Sequence, residues 1–332
     1  MGRDPAVRGH HRPQARAARA PARRARGAGR RAAAVSAALR LGTRGSPLAL
    51  AQADLAAAAL CAAGVESEVV VVSTRGDEAP AAPLAELGPG AFASALEEAL
   101  LAGRVDVAVH SAKDLTGEQP AGLVLAAFLP RADPRDAWCG AAASLDAVPA
   151  GARVGTSSLR RCALLARLRP DLELVPVRGN VQTRLDRRAA DGLDAVVLAA
   201  CGLERIGLDR EIGFRFAVDE LVPEAGQGAI ALQTRTGEED GAAPADHAET
   251  RGAVLAERGV TRRLGGGCRV PVAAHAHAVA GGWRLAGWVA APDGAAEARA
   301  EATGPDPASL VDAVVARLRA AGAERLLAEA GA

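Results

Sequence analysis

The sequence is best approached from one segment, Val105-Asp106-Val107-Ala108-Val109-His110-Ser111-Ala112-Lys113-Asp114. Its apolar first half predicts a short buried β-strand, and its second half is a polar loop. Lys113 is the only lysine among the 40 lysine and arginine residues of the chain. A lysine ammonium is compact and an arginine guanidinium is a planar fork, so the two are not equivalent in a tight site. The Lys113-Asp114 corner is therefore a candidate functional site, with a simple loop ion pair as the alternative.

The charge of the chain is unevenly distributed. The net charge is +1, but the first 36 residues contain ten arginines and one acidic residue, Asp4, so the body from residue 37 onward has a net charge of −8. An acidic body is poorly suited to general nucleic-acid binding, so we expect no nucleic-acid partner. With 332 residues and 49% hydrophobic content, the chain can form two or three domains with their own cores.

Residues 1–36 consist mainly of Ala, Arg, Gly and Pro without an apolar period, which predicts a disordered extension. They lack the apolar core of a secretory signal. The scarcity of acidic residues leaves an organellar transit peptide as an alternative, although Ser36 is the only hydroxyl residue in this segment. The chain has no uncharged apolar run of about 18 residues, so we expect no membrane partner.

The five cysteines match no metal-ligand spacing, and their odd number leaves a free thiol. This usage suits a reducing compartment and predicts a cytoplasmic protein without a metal site. Cys268 stands out because three glycines precede it, and Arg262, Arg263 and Arg269 would favour its thiolate. Cys268 is thus a candidate nucleophile, with an inert loop cysteine as the alternative. Core packing is predicted for Cys61, Cys139, Cys162 and Cys201.

Two similar units follow one another along the chain. A strand at Leu39-Arg40-Leu41 leads to Gly42-Thr43-Arg44-Gly45-Ser46-Pro47, which opens a helix with Ser46 as N-cap and Gly64 beyond its end. A second strand at Arg153-Val154 leads to Gly155-Thr156-Ser157-Ser158, which opens a helix carrying Arg160 and Arg161. The repeated pattern predicts two similar lobes, each with an anion site at a helix N-terminus; simple helix capping is the alternative for either copy.

A third helix start has the same basic character. Asn180 is the predicted N-cap of a helix from Val181, and Gln182 and Arg184 lie in its first turn. Basic residues in a first turn oppose the helix macrodipole, so we interpret them as ligands of bound negative charge.

The wider pattern predicts the fold class. Alternating strands and helices, including a buried strand at 68–72, predict an α/β fold with parallel sheets and ligands at the strand carboxyl ends. After a polar linker at 237–245, a helix at 250–260, strands at 270–276 and 283–290, and a last helix at 309–321 predict a small α+β domain.

The chain resembles the porphobilinogen deaminase, or hydroxymethylbilane synthase, family. The matching strings keep their order from about Leu39 to the C-terminus: Thr43-Arg44-Gly45-Ser46-Pro47-Leu48-Ala49-Leu50, Thr74-Arg75-Gly76-Asp77, Val107-Ala108-Val109-His110-Ser111-Ala112-Lys113-Asp114, Asp133-Pro134-Arg135-Asp136-Ala137, Gly155-Thr156-Ser157-Ser158-Leu159-Arg160-Arg161, Arg178-Gly179-Asn180-Val181-Gln182-Thr183-Arg184-Leu185, Gly226-Gln227-Gly228-Ala229 and Gly266-Gly267-Cys268-Arg269-Val270-Pro271.

The resemblance implies a monomer of three domains, with two lobes similar to type II periplasmic binding proteins. Domain 1 would comprise 37–130 plus 224–245, domain 2 would comprise 131–223, and domain 3, carrying the cofactor cysteine, would comprise 246–332. The implied activity is that of a transferase of heme and porphyrin biosynthesis. It condenses four porphobilinogens head to tail with loss of ammonia and releases hydroxymethylbilane, a linear tetrapyrrole, by hydrolysis.

The resemblance also implies the site residues. The cofactor is a dipyrromethane primer bound covalently to Cys268, and Asp114 is the catalytic residue that would stabilise a cationic azafulvene and handle protons. The other implied cofactor-binding residues are Ser111, Lys113, Thr156, Ser158, Arg160, Arg161 and Arg184. The implied substrate-binding residues are Arg44, Ser46, Arg178, Asn180, Gln182, Arg205 and Gln227.

Some positions depart from the family pattern. The predicted lid at 83–92 has Glu86 where a lysine is common, Pro89 lies within a shorter glycine run, Leu115-Thr116-Gly117 replaces a proline-containing turn, and Gly265 replaces an acidic residue.

The sequence disfavours two rival functions. A non-catalytic anion receptor of the same fold predicts an export signal, which residues 1–36 do not show, and has no need for Cys268. A nucleic-acid-binding protein predicts a basic body, whereas the body has a net charge of −8.

Overall fold

The computed structural model describes residues 38–73, 93–115, 118–265 and 270–331. The predicted extension at 1–36, the predicted lid at 83–92 and Cys268 lie outside the described residues. Within the described ranges, no helix is both long enough and apolar enough to cross a bilayer.

The described elements alternate between strands and helices, which confirms the predicted α/β class. The strands are β1 (Leu39–Thr43), β2 (Ser67–Val71), β3 (Val107–Ser111), β4 (Leu123–Phe128), β5 (Asp136–Gly140), β6 (Arg153–Gly155), β7 (Glu173–Val175), β8 (Ala195–Ala199), β9 (Phe214–Arg215), β10 (Ile230–Arg235), β11 (Val272–Val279), β12 (Gly282–Ala290) and β13 (Glu297–Gly304). The α-helices are α1 (Pro47–Ala62), α2 (Ser94–Leu101), α3 (Leu159–Leu168), α4 (Val181–Ala190), α5 (Ala200–Arg205), α6 (Ala248–Arg263), α7 (Pro307–Ala320) and α8 (Ala323–Gly331).

The first two sheets have the same topology, which confirms the two similar lobes. Their strand orders are β2-β1-β3-β10-β4 and β7-β6-β8-β5-β9. In each sheet the first three strands are parallel, and the fourth runs antiparallel to both of its neighbours. The predicted parallel pairing is therefore confirmed for the first three strands of each sheet, whereas the antiparallel fourth strand was not predicted. The antiparallel strands β5 and β10 each follow a segment that crosses from one sheet to the other. Each therefore enters its sheet from the opposite end and runs opposite to its neighbours.

The predicted buried strand at 68–72 is also corrected. Strand β2 lies at the edge of the first sheet, and the side chains of Val69 and Val71 are 37% and 57% exposed. Its run of valines indicates a strand correctly but does not report whether both faces are covered.

Two of the predicted helix starts are confirmed by their caps. Ser46 Oγ accepts the N–H of Ala49 at the start of α1, and Asn180 Oδ1 accepts the N–H of Thr183 at 2.9 Å at the start of α4. Gly64 has a φ of +80° just beyond α1, a conformation that glycine adopts without a steric penalty.

The predicted core positions of the cysteines are only partly confirmed. Cys139 and Cys201 are buried and Cys162 is half-buried, but Cys61 is exposed. Helix α1 is rich in alanine all round, so its sequence does not reveal which face is buried.

The third sheet has the order β11-β12-β13 and completes the small α+β domain. Strand β13 and helix α8 were not predicted from the sequence. The inward-facing residues of β13 are the small Ala298, Ala300 and Ala302, so its alternation lacks large apolar residues. One face of this sheet packs against α6 and α7. Residues Ala273, Trp288 and Ala290 belong instead to the core of the second sheet.

One carboxylate joins these units. Glu257 on α6 is fully buried and accepts hydrogen bonds from Arg131 Nη1 at 2.6 Å, the Gly226 N–H at 2.7 Å and the Ala276 N–H at 2.8 Å. His275 Nδ1 lies 3.3 Å from the same carboxylate. Burial favours the neutral acid, but Arg131 and His275 outweigh burial and hold the pKa of Glu257 at about 2. Glu257 therefore ties both connecting segments to the third sheet.

Replacing Glu257 by glutamine should lower the free energy of unfolding at pH 7 by about 3–5 kcal/mol, because Arg131 is left without its buried counter-charge. The folded-state pKa is depressed, so this contribution is present above the unfolded value near 4.5 and is lost as pH falls towards 2. Urea unfolding at pH 7 and pH 3 should show that the difference in the free energy of unfolding between wild type and variant is smaller at pH 3. As a control, Arg325→Ala, which removes an exposed pair with Glu329, should change stability by less than about 1 kcal/mol; equal losses in the two variants would contradict this account.

Candidate active site

The turn that carries the lysine and aspartate is fixed from two sides. It follows β3 as a short 3-10 turn over Ala112–Asp114. Arg258 on α6 donates through Nη1 to the carbonyl of Leu115 at 3.1 Å. Gly226 packs so closely that a Cβ there would lie 3.1 Å from the Lys113 nitrogen, and its φ is +78°. The turn is therefore held between the third domain and the segment before β10.

Asp114 lies in a cavity of about 60 Å³, whose lining includes Arg44 and Ser46 at the start of α1. Asp114 is exposed and lines this cavity, so water can reach it. Burial among protein atoms raises the pKa of Asp114; Lys113, Arg44 and Arg184 oppose this rise, and Glu224 adds to it. Charged groups from both lobes therefore act on the carboxyl group of Asp114.

The Ser111 hydroxyl at the end of β3 is oriented by a partner that sequence reasoning missed. Gln52 on α1 is only 4% exposed, and its Nε2 donates to Ser111 Oγ at 2.8 Å. Both side chains line the same cavity as Asp114. Gln52 therefore fixes which way the hydroxyl points.

Arg160 and Arg161 are placed by a second buried carboxylate. Asp136, at the start of β5, is fully buried and accepts from Arg160 Nη1 at 2.8 Å and from Arg161 Nη2 at 2.7 Å. Burial opposes ionisation of Asp136, but the two guanidinium charges outweigh it and hold its pKa well below its ordinary value. One negative charge thus balances only one of two buried cations.

The remaining hydrogen-bond capacity of Arg160 fits an anionic ligand. Its side chain is 3% exposed, and within the described part of the chain its Nε and Nη2 atoms find no hydrogen-bond partner. Buried donors of this kind are ordinarily satisfied. The dipyrromethane implied by the resemblance carries carboxylates, and a guanidinium edge matches a carboxylate bidentately, so Arg160 fits that group.

A further cationic group lies at the start of α4. Arg184 donates through Nε to the carbonyl of Gly179 at 2.8 Å. Burial and the nearby charges of Arg161 and Arg178 lower the pKa of Arg184 to about 10, although Asp114 opposes this. Cations so close together repel one another, so a bound polyanion would relieve the repulsion.

The other predicted site residues differ in their surroundings. Thr156 is buried, and Ser158 caps α3 by accepting from the Arg161 N–H. Gln182 donates to Asp186 on its own helix at 2.8 Å. Arg205 donates to the carbonyl of Gly228 at 2.6 Å. Arg178 and Asn180 are exposed, whereas Gln227 is fully buried.

Asp136 was the main residue that sequence reasoning missed. Its stretch, Asp133-Pro134-Arg135-Asp136, matches a family string, but the resemblance assigns Asp136 no role. The available signal was an acidic residue directly before the apolar run Ala137-Trp138-Cys139, since a charge at the start of a buried strand needs a partner. Gln52 and Glu224 gave no comparable signal.

The fold and the site together define a two-lobed anion-binding protein with a candidate acid–base carboxyl group in its cleft. Comparison with known families identifies the particular one. A family model described as "Porphobilinogen deaminase, dipyromethane cofactor binding domain" matches residues 39–243, and one described as "Porphobilinogen deaminase, C-terminal domain" matches residues 252–320.

Curated relatives agree over nearly the whole chain. The porphobilinogen deaminase of Rubrobacter xylanophilus is 48% identical over 293 residues, covering 86% of this chain and 95% of that protein. That of Pelobacter propionicus is 45% identical over 273 residues, covering 80% and 88%. The chain belongs to the porphobilinogen deaminase family. It is an enzyme of tetrapyrrole biosynthesis that polymerises porphobilinogen into hydroxymethylbilane, and it has the family's dipyrromethane-binding domain.

Solved structures show partial likenesses. A periplasmic substrate-binding protein of an ABC transporter from Coxiella burnetii is 17% identical, with a TM-score of 0.39, covering 65% of this chain and 94% of that one. The methionine-binding protein MetQ is 16% identical, with a TM-score of 0.39, covering 62% and 86%.

Replacing Asp136 by asparagine should destabilise the fold by about 3–5 kcal/mol, because two buried guanidinium groups lose their shared counter-charge. Urea unfolding at pH 7 measures the change. Asp171→Asn serves as the control because Asp171 pairs with Arg169 at the surface, and it should stay close to wild type. An unfolding midpoint in Asp136→Asn equal to that of wild type would show that the charge of Asp136 adds nothing to the stability of the fold.

Proposed function

We propose that Asp114 is the catalytic group of the porphobilinogen polymerisation. The observation that carries this proposal is its place in the cavity, among Arg44, Lys113 and Arg184. A proton must reach the departing ammonia, and another must leave the pyrrole carbon after each condensation. A carboxyl group whose pKa is raised towards neutrality can accept and return such protons. Its ionised form can also stabilise the cationic azafulvene formed from the substrate and accept hydrogen bonds from pyrrole N–H groups.

We further propose that Cys268 holds the dipyrromethane covalently, so that a pyrrole is available as the acceptor for the first substrate. A thioether at Cys268 survives turnover, which keeps the primer on the protein while the product leaves. The ligands proposed for its carboxylates are Ser111, Lys113, Thr156, Ser158, Arg160, Arg161 and Arg184.

The substrate side of the site follows from charge. Each pyrrole ring carries an acetate and a propionate, so a growing chain gathers many carboxylates. Arg44 and Ser46 from the first lobe, and Arg178, Asn180, Gln182 and Arg205 from the second, are proposed to hold them. Guanidinium forks bind carboxylates through paired hydrogen bonds, which suits a site that recognises similar rings in succession.

The remaining organisation is proposed on the same grounds. The protein acts as a monomer in the cytoplasm, on a small-molecule substrate. Its domains comprise 37–130 with 224–245, then 131–223, then 246–332, a division supported by the three separate sheets.

Asp114→Ala should leave a folded protein whose kcat is reduced by at least about 100-fold, because proton transfer and cation stabilisation are both lost. Steady-state consumption of porphobilinogen measures kcat, and circular dichroism checks the fold. The matched control is Asp54→Ala, which removes an exposed carboxylate on α1 and should keep the wild-type rate. A near-normal rate in Asp114→Ala would refute the assigned role.

Intact-protein mass spectrometry should find an added mass of two pyrrole units, located on the peptide containing Cys268. Cys268→Ser should lack this mass and have no activity, since a serine hydroxyl is a much weaker nucleophile than a thiolate. Cys61→Ser removes an exposed thiol elsewhere and should retain both the mass and the activity. An unmodified wild-type protein that stays unmodified when offered porphobilinogen would overturn the proposal.

A further inference from the structure

The catalytic turn of the first lobe and the arginine pair of the second are joined by one side chain. Gln227, between the two lobes in sequence, is fully buried. Its Oε1 accepts from Lys113 Nζ at 3.2 Å, and its Nε2 donates to Asp136 Oδ1 at 3.0 Å and to the Pro134 carbonyl at 2.7 Å. Asp136 in turn holds Arg160 and Arg161.

The direction of this amide is determined by its partners. A reversed amide would place its NH₂ group against the Lys113 ammonium and its oxygen against the Asp136 carboxylate, so every contact would be repulsive. Glutamate at this position would have no N–H donors for the Pro134 carbonyl, and it would add a second negative charge beside Asp136. Only an amide supplies an acceptor on one side and donors on the other.

The backbone gives Gln227 little freedom to move. Gly226 and Gly228 have φ values of +78° and +89°. A Cβ on Gly226 would lie 3.1 Å from the backbone nitrogen of Lys113, and one on Gly228 would lie 2.5 Å from the carbonyl oxygen of Ala132. Gln227 is therefore held between the catalytic turn and the segment that leads to the second lobe.

We propose that Gln227 is a positioning residue: it sets the spacing between the Lys113 ammonium and the Arg160–Arg161 pair, so that the carboxylates of one bound ligand can engage both. This inference rests on the proposed function, because it assumes that these cations hold the dipyrromethane. It gives Gln227 an indirect role through Lys113 and Asp136, in place of the direct substrate contact implied by the family resemblance.

The test compares Gln227→Glu with Gln227→Met. Both variants and wild type are purified, incubated with porphobilinogen at pH 8 and pH 6, and analysed by intact mass for the fraction carrying two pyrrole units. Gln227→Glu should load at least about tenfold more slowly at pH 8. It should recover part of the loss at pH 6, because burial beside the Asp136 carboxylate raises the pKa of the introduced carboxyl, and its protonated form can again donate. Gln227→Met has no titratable group and should be impaired at both pH values. In the loaded fraction of each variant, KM should rise more than kcat falls.

The matched control is Gln233→Glu. Gln233 is also a fully buried glutamine, hydrogen-bonded to Glu97 and Gln119 in the first lobe. Its substitution should lower the melting temperature without changing the loading rate or its pH profile. Normal loading and KM in both Gln227 variants would overturn the inference, as would equal loading losses in Gln233→Glu. If Gln227→Glu fails to fold, the nearly isosteric Gln227→Met decides. A wild-type protein that never loads would instead refute the proposed function.

Discussion

The site depends on the buried ion cluster in which Asp136 faces Arg160 and Arg161. Desolvating two guanidinium groups is costly, and a fully buried carboxylate makes it tolerable. The cluster also fixes where the cations point, since Arg161 bonds the Val197 carbonyl and Arg160 bonds the Val222 carbonyl. Because two positive charges share one negative charge, the cluster keeps a net positive charge that is available to an anionic ligand.

Glu257 has the corresponding role at the junction of the units. Its carboxylate takes hydrogen bonds from the first connecting segment, through Arg131, and from the second, through the Gly226 N–H. The adjacent Arg258 contacts the turn that carries Lys113 and Asp114. Two successive residues of α6 therefore hold the turn and the connecting segments in one arrangement. The same helix ends at Arg263, five residues before Cys268 in the sequence.

Local features of the fold could be predicted from the sequence because their causes are local. Ser46 and Asn180 cap helices through contacts three residues away. The topology of the lobes required more, since β10 joins the first sheet only after the chain has built the second. Strand β13 escaped prediction because its buried residues are alanines, whose burial gives a weak apolar signal.

The candidate site likewise combines residues that could be predicted with contacts that could not. Motif resemblance supplied Asp114, Lys113, Gln227 and the arginines, but it did not supply the contacts that orient them. The contact between Gln227 and Asp136 spans 91 residues, and that between Gln52 and Ser111 spans 59. No periodicity or spacing reports such contacts, because the partners lie far apart in the sequence and meet only in the folded chain.

The position of Trp288 has a mechanical consequence. This fully buried ring belongs to the third sheet, yet it packs in the core of the second lobe. On α6, Arg258 contacts the turn of the first lobe, and Glu257 binds Arg131 in the connecting segment. A wide opening of the jaws would have to break a close-packed core or a buried ion pair, both of which resist deformation. The contacts of the third sheet and of α6 therefore limit how far the two lobes can separate.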